Sequence, residues 1–146
     1  MSDDELSAFL PASAERHIED VVGTGIDEAV ARSSTDSLLN AMFPDGRTTE
    51  DNVVFAIEEE GRPVGALWLG RNAEMPHRWA VWEIFLENEH RAHGLGTQAM
   101  LLAEDEVRSR GGTEMTLNVY AYNDVARHVY EKIGYEPTAM QMRKVL

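Results

Sequence analysis

The segment Glu87 to Met100, ENEHRAHGLGTQAM, concentrates the residue types from which a phosphate site is made. Arg91-Ala92-His93-Gly94-Leu95-Gly96-Thr97 lies between a strand-like apolar run and a helix-like one. Glycines there let backbone approach a ligand closely, and first-turn N–H groups, which lack intrahelical partners, can face a phosphate. The helix macrodipole adds about half a positive charge at the same end. A Walker loop is disfavoured because Gly96 is followed by Thr97-Gln98 with no lysine. Gly94-Leu95-Gly96-Thr97-Gln98-Ala99 matches a dinucleotide-binding string, but Glu87 to His93 separate it from the strand, and Glu114 opens the next strand where an acid should close it.

A third cradle, Q/R-x-x-G-x-G/A, fits better. Arg91-Ala92-His93-Gly94-Leu95-Gly96 resembles the acyl-CoA pyrophosphate loop of the GNAT N-acetyltransferase superfamily. A second block, Leu117 to Tyr135 (LNVYAYNDVARHVYEKIGY), resembles that family's L-x-V-x-x-x-N-x-x-A-x-x-x-Y-E-K-x-G-[FY] segment. The resemblance is close from Val53 onward and rests only on a two-helix pattern before it. Ala92 stands where the family usually has Gly, at an expected small cost because the other loop glycines remain. The family's short opening strand has no counterpart in Met1 to Leu6.

The resemblance implies an acetyl-CoA-dependent acyltransferase. The donor's pyrophosphate would lie on the amides of Arg91, Ala92, His93, Gly94, Leu95, Gly96 and Thr97, with its pantetheine along the strand near Leu86. That strand is expected to splay from the next one, so that an unpaired amide such as that of Leu86 meets the thioester carbonyl; one such donor is worth about 3–4 kcal/mol. Tyr130 occupies the family position that protonates the departing sulfur, a gain at the low end of ~10²–10⁴; as a plain core aromatic it would sit at helical spacing from Ala126 and Ile133. Asn123 is expected as a helix N-cap and as a CoA contact. Glu83 is the candidate base, its alternative being an outward residue on a half-buried strand, with Glu87 and His90 as fallbacks. With no cysteine in the chain, direct attack by a primary amine in a ternary complex is favoured over an acyl-enzyme. A catalytically silent acyl-CoA sensor of the same fold is the alternative, and a homodimer is left open.

Other residues read as bland. His17 and His128 belong to helix surfaces and His77 to a loop, and no His or carboxylate spacing fits a metal, so none is expected. Glu58-Glu59-Glu60 reads as a solvated hairpin end. Trp68, Trp79 and Trp82 read as core, the alternative for one of them being a wall of the acceptor pocket. Asp20, Asp27 and Glu28 hint at a cationic acceptor.

These residues need elements to carry them. Helical spacing covers Asp4 to Leu10 and Ala12 to Val22 around Pro11, then Ile26 to Met42 through Ile26, Val30, Leu38, Leu39 and Met42. Asn52 to Glu58 and Val64 to Leu69 predict an antiparallel hairpin, and the almost wholly apolar Trp79 to Leu86 predicts a central strand covered on both faces. A helix is expected over Gly94 to Arg110, with Leu95, Ala99, Leu102 and Ala103 inward and Glu104–Arg108 and Glu106–Arg110 as outward pairs. A strand over Met115 to Ala121, a helix from Asn123 to the Gly134 stop, and a last strand over Thr138 to Val145 complete the chain. The order predicts an α/β or α+β fold, a mixed central sheet with helices on both faces, as one domain over residues 1–146.

Composition bounds the partners. The chain has 146 residues, 26 acidic against 13 basic, for a net charge of −13, so nucleic acid and anionic membrane are expected to be repelled. No cationic start, long apolar run or span-length segment is present, which predicts a cytoplasmic location.

Overall fold

The computed structural model describes residues 1–146. Four helices and four strands run in the order α1 (Asp3–Gly23), α2 (Glu28–Met42), β1 (Asn52–Glu59), β2 (Arg62–Arg71), β3 (Arg78–Leu86), α3 (Leu95–Ser109), β4 (Glu114–Leu117) and α4 (Asp124–Lys132). The sheet order is β1-β2-β3-β4; the first two pairings are antiparallel and β3–β4 is parallel.

The side-chain alternation of β2 builds two cores. Ala66 and Trp68 turn to one face and pack with Val54, Leu6, Phe9 and Phe43 beneath α1. Leu67 and Leu69 turn to the other and pack with Trp79, Val81 and the α3 residues Met100, Ala103 and Val107. Helices therefore cover both faces, as expected. The β1–β2 turn is Glu60-Gly61, both at positive φ (51° and 76°), which suits the right-handed twist of a hairpin.

Several expected elements differ. One helix replaces the two expected around Pro11: Pro11 lies on the solvent side, where the carbonyl it leaves without a partner can meet water, and Ser2 opens the helix with a capping box to Glu5. In α2, which Asp27 caps through the amides of Ala29 and Val30, the inward residues are Ala31 and Thr35, and the expected inward Ile26 and Val30 are exposed. In α3 the inward stripe is Ala99, Met100, Ala103 and Val107, and Leu102 is exposed; the Glu104–Arg108 and Glu106–Arg110 pairs form at 2.8 and 2.7 Å.

Two strand expectations fail. β4 ends at Leu117 instead of Ala121, and Thr138 to Val145 has no regular structure. A period of two makes a strand only where an edge receives it. The tail's Met140, Met142 and Val145 are exposed. Strand β3 lies inside the sheet, yet only its first half is paired on both sides, since β4 matches Arg78–Val81 alone. Its second half, from Trp82 to Leu86, is at best half-buried, so the expectation of a strand covered on both faces is corrected there.

Candidate active site

A bulge in β3 sets the geometry of the site. Leu69 pairs with Val81 and Trp68 with Glu83, so Trp82 is an extra residue on the β3 side. Trp79 and Val81 face α3; strict alternation would send Glu83 and Phe85 the same way. The bulge reverses this, turning Glu83 and Phe85 to the α1 face and Ile84 and Leu86 to the α3 face. Trp82 stacks on Trp68, ring centroids 5.5 Å apart, in space that Gly70 leaves open, but the bulge leaves it exposed, so its reading as core is corrected.

On the α1 face, the Glu83 carboxylate accepts hydrogen bonds from both Ser13 Oγ and Arg16 Nε, the latter at 2.5 Å. Ser13 is buried and the Arg16 guanidinium lies 4.2 Å from the centre of the Phe85 ring. One turn further along α1, Asp20 accepts from Tyr122 Oη at 3.3 Å, and Tyr122 stacks on Tyr120 at 5.4 Å. Ser13, Arg16 and Asp20 are three to four residues apart, hence on one side of the helix. The sequence alone does not single out Ser13, Arg16, Phe85 or the two tyrosines as site residues. For Ser13 and Arg16 the spacing in α1 is the only signal, and nothing in it points to β3. Of the acids that hinted at a cationic acceptor, only Asp20 is here; Asp27 is spent as the α2 cap and Glu28 pairs with Arg32.

On the α3 face lies the glycine loop. Glu87 N–H donates to the Val64 carbonyl, so Gly65 and Leu86 oppose each other as a non-hydrogen-bonded pair and the Leu86 amide points away from β2. It faces the side from which β4 has already departed. The Leu86 carbonyl is taken by Arg91 Nε at 2.8 Å. Gly94 (φ 84°) is the N-cap of α3 and carries no side chain to close the helix, no acid occupies the first turn, and the first loop-to-helix bond is Gln98 N–H to Gly94 C=O. The amides of Leu95, Gly96 and Thr97 thus have no partner within the helix. Gly96 lies against the Leu86 side chain, so the amide array and the open strand end adjoin. This constellation suits a pyrophosphate on the helix and a carbonyl on the strand, which is the fit an acyl-CoA requires.

Ala92 also has a left-handed backbone, φ 64°. The expectation that its Cβ costs little is corrected: this is a conformation that costs an L-residue roughly 1–2 kcal/mol. His93 is exposed in the same loop. Glu87 is exposed too, whereas His90 Nδ1 is 2.6 Å from a Glu59 carboxylate oxygen, so both the fallback base and one of the expected solvated hairpin acids are engaged with each other. Asn123 caps α4, its Oδ1 accepting from the Ala126 amide at 3.1 Å. Tyr130 packs against the α3-face core and meets Tyr135 at 5.9 Å. Burial raises its pKa above the ordinary tyrosine value, and burial pushes Tyr135 up to about 12. Tyr130 and Glu83 therefore belong to opposite faces of the sheet. No group of three or more His or carboxylate residues is placed to hold a metal, and no helix is long and apolar enough to cross a membrane.

Known proteins resemble this chain in sequence and in fold. YdgE, an uncharacterized N-acetyltransferase of Bacillus subtilis (strain 168), is 28% identical over 149 residues, covering 100% of this chain and 95% of that protein. YycN of the same organism, also an uncharacterized N-acetyltransferase, is 27% identical over 150 residues. Its crystal structure superposes with a TM-score of 0.89 over 100% of this chain and 95% of the other. A GCN5-related N-acetyltransferase from Ralstonia eutropha JMP134, 19% identical, shares the fold at a TM-score of 0.67, covering 99% of this chain and 95% of that one. A sequence model of the acetyltransferase (GNAT) family matches residues 17–135, both expected motifs and the bulged strand included. The chain belongs to the GNAT family of acetyltransferases.

Proposed function

We propose that the protein transfers an acetyl group from acetyl-CoA to a primary amine, by direct attack in a ternary complex. The observation that carries this reading is the open end of β3, where an unpaired Leu86 amide adjoins the uncapped first turn of α3. With the donor's pyrophosphate on the amides of Leu95, Gly96 and Thr97, its thioester carbonyl falls to the Leu86 N–H. Charge developing on that oxygen is then held by a fixed donor, worth about 3–4 kcal/mol. Arg91, Ala92, His93 and Gly94 complete the loop, and the Asn123 amide nitrogen is left free by its capping bond to contact the donor.

The amine approaches from the α1 face and the sulfur leaves on the α3 face. Glu83 is the base in this reading: Ser13 and Arg16 each take one acceptor position of a carboxylate that offers about four, so it keeps room for a substrate ammonium or a bridging water. An ammonium acceptor first loses one proton through Glu83 to solvent; as the free amine nitrogen bonds to the acetyl carbon and the C–S bond breaks, its second proton goes to Glu83, while Tyr130 gives its phenol proton to the sulfur and is reprotonated from solvent. Burial keeps the Tyr130 phenol protonated and ready to donate.

Thiol release from acetyl-CoA across a library of primary amines tests the proposal. Turnover with CoA as product is expected. Tight CoA binding without release from any amine would make the protein an acyl-CoA sensor, and no binding at near-millimolar CoA would overturn both readings.

A further inference from the structure

Arg16 has more donors than the fold uses. Its Nε meets Glu83 at 2.5 Å, and its guanidinium carbon lies 4.2 Å from the Phe85 ring centre and 5.8 Å from that of Phe9, so two aromatic rings and a carboxylate fix its plane. Nη1 and Nη2 make no hydrogen bond to the protein, and the side chain is 28% exposed. A guanidinium keeps its charge at every accessible pH, and its paired N–H groups match a carboxylate in bidentate fashion. Holding α1 to β3 needs only the Nε bond. The remaining fork points to an anion on the amine's side of the sheet.

We infer that Arg16 binds a carboxylate on the acceptor, which makes the acceptor an α-amino acid; this deepens the N-acetyltransferase reading above and rests on it. Glu83 and Arg16 are in direct contact, so an ammonium on Glu83 and a carboxylate on the Arg16 fork must be close together in the substrate. Both groups on one carbon satisfy that. The second cation of a polyamine would lie against the guanidinium, and a peptide amine lacks the adjacent carboxylate.

The test compares each L-amino acid with its own amide in the thiol-release assay. The wild-type protein is expected to favour the acid. In Arg16→Lys, which keeps the charge and loses the fork, the acid-to-amide ratio of kcat/KM should fall about ten- to a hundredfold, the range of a hydrogen bond to a charged group, and through KM more than kcat. Arg16→Gln should do the same, and because the ratio is internal to each variant, partial unfolding does not mimic it. Equal effects on acid and amide, or a wild-type preference for diamines or peptide amines, would overturn the assignment while leaving acetyl transfer standing. Calorimetry of N-acetyl amino acids against the CoA-loaded protein separates the two failures. Arg16-dependent binding with no thiol release from any amine would overturn the transfer reading alone, and absence of both would overturn both.

Discussion

Tyr130 and Ala92 both sit under constraint, to opposite effect. Removing solvent from the Tyr130 phenol disfavours its anion, so a raised pKa means the proton stays on through neutral pH and beyond 10.0. Tyr130→Phe should lower kcat by about a hundredfold, near the low end of general-acid effects, with the calorimetric Kd for CoA unchanged. In the wild type, no basic limb of the pH–rate profile assignable to this phenol should appear below pH 10. Ala92 is held left-handed for the sake of the loop. Glycine would relieve that strain but adds freedom to the unfolded chain. Ala92→Gly should therefore raise the stability measured by denaturant unfolding by up to about 1 kcal/mol.

Strand β3 shows how an element can be both foreseen and misread. Its apolar run, Trp79 to Leu86, marked it as an inner strand, and that is where it lies. The bulge at Trp82 was invisible, because it depends on which residue of β2 opposes which residue of β3, and Gly70 and Trp68 carry that information on a different strand. Glu83 could thus be picked out by position but not assigned to a face, and Arg16 could not be joined to it. Local signals fared better: Asn123 as a cap and Gly134 as a stop are decisions made within a few residues. The Thr138 to Val145 reading failed for the same reason that the bulge was missed, since pairing is not a property of one segment. Gly65, opposite Leu86, makes a sharp test of the strand end. A Cβ there would come within 2.2 Å of the Phe85 carbonyl oxygen, which is backbone and has nowhere to go. Gly65→Ala should cost about 1–3 kcal/mol in thermal unfolding, and the surviving folded protein should lose kcat by displacing the Leu86 amide.

At the scale of the whole molecule, a net charge of −13 surrounds the site proposed for a polyanionic donor. The attraction must then be local, from backbone N–H groups at the start of α3 and from Arg91, inside a shell that repels at longer range. Added salt screens the shell more than the contact. Calorimetric CoA affinity should hold nearly constant or tighten between low and moderate ionic strength, and a steep loss would mean that long-range attraction dominates. The same amides bear on how the protein holds together. A helix that begins at glycine forgoes roughly a few tenths of a kcal/mol that a serine or aspartate cap would add, and α3 carries Met100, Ala103 and Val107, a large part of one core. In the proposed reading the donor's phosphates supply the missing cap. Folding is left slightly unfinished until the substrate arrives, so the chain spends some of its own stability on keeping that place open.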